Sequence, residues 1–244
     1  MNPYQLDGVD AGTYVDVRPS YPECLVDSLV AGLPPSARVI DMGAGTGKLT
    51  RQLLERGFSV VAIEPSELML EGLYRLKQSF GDRLAVVEAS AESTSLERHA
   101  FDLVVFSQSW HWVATREATN EAFRLLKKDG KLAAVYNQLD VSFPWVKRLT
   151  RIMRSGDVHR LTKPPQWGRR FSLPSLALDS WVQYLAPDEL RQLGTTRASW
   201  IKSTGENRTR MRANLDRYLD EMGYHEDNLI ELPYLSFSWS SDRK

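Results

Sequence analysis

The chain has 244 residues, with 31 Lys and Arg against 31 Asp and Glu and a formal net charge of zero. Hydrophobic residues make up 42% and charged residues 25%, enough apolar content to form a core and to disfavour intrinsic disorder. The single cysteine, Cys24, rules out a disulfide framework and a Cys-rich zinc site, and no apolar run approaches the roughly 18 residues of a membrane span.

The predicted elements alternate from the start. Residues 22–31 read as a helix, with Leu25, Val26, Leu29 and Val30 at helical spacing. Gly32-Leu33-Pro34-Pro35 ends it. Arg38 to Asp41 is a first strand, closed by a glycine-rich turn, and Leu49 to Arg56 a helix with Gly57 at its C-terminal cap. Ser59 to Ile63 is a second strand, apolar as a strand covered on both faces should be. A helix at Glu67–Phe80, strands at Leu84–Val87 and Phe101–Phe106, and a helix at Arg116–Leu126 follow. A turn at Lys128-Asp129-Gly130 leads into a fifth strand, Lys131–Tyr136. This alternation implies a parallel sheet with helices on both faces.

Beyond residue 140 the pattern is less regular. Residues 143–154 read as a helix with Trp145, Leu149, Ile152 and Met153 inward and Lys147, Arg148, Arg151 and Arg154 mostly outward. Ser180–Leu185 suits a strand, and Pro187–Leu193 and Thr209–Met222 suit helices. Leu229–Trp239 is β-rich, and its Pro233 suits an edge strand or a strand start. The zero net charge also divides unevenly. Residues 1–140 carry a net of −5 and residues 141–244 a net of +5. Eight basic residues against one acid lie between Lys147 and Arg170. Such a run is either a solvated face or a means of attracting an anionic ligand.

The loop Asp41-Met42-Gly43-Ala44-Gly45-Thr46-Gly47 joins the first strand to its helix. Its third glycine comes one residue too early for the dinucleotide fingerprint, and no Gly-Lys-[Ser/Thr] closes a P-loop. Glu64 ends the second strand 21 residues after Gly43, where a carboxylate can accept both hydroxyls of a ribose. Asp41 is an extra acid that would repel a pyrophosphate and could support a cationic ligand.

These residues resemble the class I S-adenosylmethionine-dependent methyltransferases. The loop looks like their first motif, Glu64 like their ribose acid, and Ser90-Ala91-Glu92 like the segment holding adenine through the Ala91 backbone and the Glu92 carboxylate. Phe101–Phe106 and Phe123–Leu132 are similar to the strand and helix-turn-strand that follow, with Lys128-Asp129-Gly130 where Pro-Gly-Gly is common. Tyr14 to Pro22 and Ser107-Gln108-Ser109-Trp110-His111-Trp112 narrow the resemblance to small-molecule methyltransferases of the trans-aconitate methyltransferase group.

The resemblance implies a Rossmann-like, doubly wound α/β sheet, mostly parallel with an antiparallel edge strand, and a helical insert after the fifth strand. It implies a single methyltransferase domain over 1–244. Residues 1–35 would cover the cofactor, 36–140 form its core, 141–175 the basic insert and 176–244 the completing strands and helices. S-adenosyl-L-methionine is the expected cofactor, with Tyr14, Arg18, Asp41, Gly43, Ala44, Gly45, Gly47, Glu64, Pro65, Ala91, Glu92, Ser107 and Gln108 as its site. No metal is expected. Arg18 is apt near the methionine end because guanidinium pairs bidentately with carboxylate.

Methyl transfer from a sulfonium needs alignment and exclusion of water, and a base only if the nucleophile arrives protonated. His111 is the candidate base, with packing of its loop as the alternative reading. Tyr136-Asn137 is either a strand-end cap or a substrate contact. The expected reaction is methylation of a small molecule at a carboxylate or hydroxyl oxygen. The other readings are an RNA methyltransferase using the basic insert, or a cofactor-binding protein without catalysis. The expected partner is a small acceptor with anionic character, without membrane or nucleic acid. A cytoplasmic protein is expected, and monomer and homodimer stay open.

Overall fold

The computed structural model describes residues 17–155, 159–225 and 228–244. Seven strands form one sheet in the order β3-β2-β1-β4-β5-β7-β6. They are β1 (Arg38–Met42), β2 (Ser59–Ile63), β3 (Leu84–Val87), β4 (Phe101–Ser107), β5 (Leu126–Leu139), β6 (Ser175–Leu185) and β7 (Ile230–Asp242). The first five run parallel, while β7 is antiparallel to both β5 and β6. The sheet is therefore mostly parallel with an antiparallel pair at one edge, and the reversed strand is β7, one position in from that edge.

One face is covered by α1 (Glu23–Val30), α2 (Lys48–Glu55) and α3 (Glu67–Phe80). Their apolar positions recur at three and four residues, as Leu70, Leu73 and Leu76 do in α3, and pack on Val39, Val60, Leu103 and Val105 of the sheet. Gly57 follows α2 with φ +92°, and its N–H donates to Leu54 O, the left-handed cap that the sequence places there. The opposite face packs on α4 (Thr115–Leu125) and on Trp167 and Phe171 of the segment after residue 159. A third cluster joins α5 (Pro144–Ile152), α6 (Pro187–Thr195) and α8 (Gly205–Glu221) to the ends of β5 and β7. The short α7 (Ala198–Ile201) links α6 to α8.

Two sequence expectations need correction. The Lys128-Asp129-Gly130 turn lies inside β5. Leu126 faces Phe101 and Lys131 faces Leu103, so two steps along β4 match five along β5. The surplus bulges out with Asp129 at φ +63°. Pro233 lies in β7, which is an interior strand. Its carbonyl accepts from Asp140 N–H at 2.9 Å, just past the last β5–β7 pair, Leu139 opposite Tyr234. A residue's N and O point to the same side of a strand. The missing N–H of Pro233 therefore faces a place where the β5 ladder has already ended, and no bond to β6 is lost.

In α5 and the two residues after it, Val146, Leu149 and Met153 are buried, Trp145 and Ile152 are partly so, and Lys147, Arg148, Arg151 and Arg154 are exposed. Arg148 pairs with Glu221 and lies over the Tyr218 ring at 4.5 Å, so that cation ties α5 to α8.

Candidate active site

The C-terminal ends of β1, β2 and β4 open into a cavity of about 270 Å³, where ligands bind in open α/β sheets. Its floor is the loop after β1. Gly43 and Gly45 hold φ of +69° and +58°, a region that L-residues enter only with strain. A Cβ on Gly43 would lie 2.6 Å from Ser109 Cβ, whereas one on Gly45 would meet nothing within 4 Å. The first glycine thus allows a close approach of two loops, and the second leaves open space above the backbone. Gly47, at φ +89°, starts α2. It lies off the cavity wall, where its bare Cα lets Leu73 and Leu76 of α3 pack closely.

Glu64 closes the wall at the end of β2. It is 5% exposed. Its Oε2 accepts from Gly45 N–H at 2.7 Å and its Oε1 from Ser66 N–H at 3.0 Å. Burial pushes its pKa up, and these two donors pull it back. Each carboxylate oxygen keeps a further lone pair for a hydroxyl. Asp41 is fully buried beneath the loop. Thr50 Oγ1 donates to it at 2.7 Å and Ser107 Oγ at 2.9 Å. Burial raises its pKa to about 6, against the pull of these two hydroxyls. It fastens β1 to α2 and β4 and does not line the cavity.

Ala91 is presented on the wall by a tight turn in which Ser93 N–H donates to Ser90 O at 3.2 Å. Glu92 points elsewhere, and its Oε1 accepts from Ala114 N–H at 2.8 Å. Pro65 and Met69 add apolar wall. Gln108, at φ +55°, lines the cavity and donates from Nε2 to Asn137 O. Asn137 in turn donates to Ser20 O at 3.1 Å and accepts from Ser236 Oγ at 2.6 Å; β5 runs on to Leu139, so Tyr136 and Asn137 are not its end cap, and Asn137 lies inside the β5–β7 ladder and lines the cavity. Arg18 lines the wall and donates to Oγ1 and O of Thr196 at 2.9 and 2.8 Å. Tyr14 lies outside the described residues.

His111 sits in the single-turn helix Trp110–Trp112, exposed at the cavity mouth. Trp110 anchors that turn, buried edge-on against Phe106 at 4.8 Å. The His111 ring lies 5.0 Å from Trp112 and 5.1 Å from His159. Trp112 is 41% exposed, with Lys202 Nζ 4.9 Å from its ring.

The chain aligns with an uncharacterised methyltransferase of Mycobacterium tuberculosis, 36% identical over 237 residues, covering 94% of this chain and 92% of that one. The chain belongs to the methyltransferase family. A methyltransferase-domain family model matches residues 40–134 of this methyltransferase. Its fold is similar to that of a solved type II methyltransferase from Anaeromyxobacter dehalogenans (TM-score 0.63, 22% identity, 93% and 97% coverage). It is also similar to a geranyl diphosphate C-methyltransferase from Streptomyces coelicolor, solved with S-adenosyl-L-homocysteine (TM-score 0.53, 15% identity, 91% and 78% coverage).

Several wall residues of this methyltransferase escape sequence reasoning. Thr196, Arg197, Ala198, Ile201 and Lys202, around α7, and Tyr234 of β7 all line the cavity. They come from a short, aperiodic stretch and from a strand nearly 200 residues from the glycine loop, so no local spacing marks them. Met69 belongs to the apolar stripe of α3 and reads as core.

Proposed function

We propose that this methyltransferase transfers a methyl group from S-adenosyl-L-methionine to a carboxylate or hydroxyl oxygen of a small acceptor. One observation carries the reading: the bare Gly43–Gly45 backbone, the buried Glu64 carboxylate and the His111 ring line one cavity. The residues fit the cofactor. Gly45 leaves space for a close approach, Glu64 offers an acceptor for ribose hydroxyls, and Pro65, Met69 and Ala91 offer apolar contact for a flat base. Bound there, the cofactor supplies an already activated methyl group. Arg18, Gln108 and Asn137 lie on the same wall and offer polar contact.

The chain's own task is to orient the acceptor and to exclude water. Trp112, Ile201 and Tyr234 line the cavity with apolar surface that lowers the local dielectric once an acceptor enters. A carboxylate acceptor needs no base. With a hydroxyl acceptor, a His111 ring nitrogen takes the proton as the oxygen attacks. The test is methyl transfer from labelled cofactor to a metabolite panel weighted toward carboxylic acids, with calorimetry of S-adenosylmethionine against a nicotinamide dinucleotide. Labelled ester or ether products support the reading. Binding of the dinucleotide alone overturns it.

A further inference from the structure

A second cavity, of about 410 Å³, adjoins the first. It is lined by Tyr136, His159, Arg160, Lys163, Phe237 and Trp239. No carboxylate among the described residues lines it. Arg160 and Lys163 are exposed and have no ion-pair partner among the described residues. Its floor is aromatic: Tyr136 stacks on Phe237 at 5.0 Å and meets the His159 ring at a tilt, 4.3 Å away. Tyr136 is 5% exposed, and its hydroxyl has no hydrogen-bond partner among the described residues. On the cavity wall, that hydroxyl is available as a donor to a ligand's oxygen.

The apolar wall continues outward. In the β6–β7 register Leu178 lies opposite Phe237 and Leu176 opposite Trp239. Cross-strand partners share a face, so these leucines extend the cavity wall along the edge strand. They are 50% and 41% exposed, and Val182, further along the same face, is 39% exposed. An apolar stripe that ends at a cationic rim complements a molecule with an apolar body and an anionic head. The first cavity lies beside it, with His111 on one side and His159 on the other, their rings 5.1 Å apart.

We propose that this second cavity binds an amphipathic anion, its carboxylate or phosphate on Arg160 and Lys163 and its aliphatic body along Phe237, Trp239, Leu178 and Leu176. Resting on the reading of the first cavity as the cofactor site, this anion is the far end of the methyl acceptor, whose reacting oxygen passes the His111–His159 pair. The acceptor is then bifunctional, with an anionic handle separate from the atom methylated.

The test is calorimetric titration of the full chain with octanoate, octyl phosphate, octanol and butanoate, alongside S-adenosylmethionine. Each buried methylene multiplies affinity by about fourfold, so octanoate should bind at least tenfold tighter than butanoate. Octanol should bind at least tenfold more weakly than either octyl anion, and the tighter of the two anions names the head group. The doubly substituted Arg160→Ala/Lys163→Ala chain should lose tenfold or more in anion affinity and keep its S-adenosylmethionine affinity within twofold. Leu178→Asp should weaken octanoate and leave butanoate unchanged.

Octanol binding as tightly as octanoate overturns the proposal, as does a double variant with unchanged anion affinity. Cofactor binding with no anion binding sinks this inference and leaves the cofactor reading standing. Anion binding with no cofactor binding does the reverse. A dimer that Leu178→Asp dissociates, with no octanoate bound, shows a second copy of the chain on the stripe and also overturns it.

Discussion

His111 and Asp41 show two ways in which a polar side chain can serve one cavity. His111 stands at the mouth on a turn anchored by Trp110, so truncating it leaves the anchor in place. His111→Ala is expected to lower kcat for a hydroxyl acceptor by 10²- to 10⁴-fold, the usual worth of a positioned base, with cofactor affinity unchanged. Full turnover would reduce His111 to loop packing. Asp41 acts from below. Its pKa rises from 3.8 in the open chain to about 6 when folded. Between those values the folded chain holds a proton that the unfolded chain has released. Stability therefore falls as pH rises through that window and is level above it, a change on the order of 3 kcal/mol. Asp41→Asn cannot ionise. Its urea midpoint should change less than the native protein's between pH 4.5 and 7, and parallel pH profiles would refute the assignment.

The turn that presents Ala91 is held by an element on the other side of β4. Glu121 of α4 accepts from Thr94 N–H at 2.9 Å and from Thr94 Oγ1 at 2.7 Å, and pairs with Arg124 at 2.7 Å. These donors outweigh burial and hold its pKa down to about 2. The stability it contributes is present above the ordinary value of 4.5 and is lost as pH falls toward 2, opposite in sign to Asp41. Glu121→Gln should cost about 1–3 kcal/mol of stability, read as a lower urea midpoint, and loosen the Ala91 turn, read as weaker cofactor binding without change in kcat.

The β1–β4 and α1–α4 elements were legible in the sequence because each obeys a local period: apolar runs for doubly covered strands, three-and-four spacing for helices. Glycine signals told the same story at Gly43, Gly45 and Gly57. The sequence misled where tertiary context decides. Pro233 reads as an edge residue, and only the early end of β5 lets it sit in an interior strand. The α7 wall was invisible because four helical residues carry no periodicity.

At the scale of the whole molecule, the −5 and +5 halves meet at the cavities. The acidic half supplies the glycine loop, Glu64 and Ala91. The basic half supplies Arg197 and Lys202 to the first cavity and Arg160 and Lys163 to the second. The outward cations of α5 do not take part, so the run between Lys147 and Arg170 divides into a solvated face and a cavity rim. Because the first cavity is walled by residues from Arg18 to Tyr234, a ligand there bridges both halves of the chain. A ligand that binds only the folded state stabilises it by about 2.7 kcal/mol at one hundred times its Kd. For a domain of this size that corresponds to a rise in Tm of roughly 5–10 °C. S-adenosylmethionine should produce that rise in a thermal melt, a nicotinamide dinucleotide should not, and Glu64→Ala should abolish most of it. If Glu64→Ala melts with the full ligand shift, the ribose contact lies elsewhere. If the dinucleotide gives the shift instead, the glycine loop has been matched to the wrong cofactor.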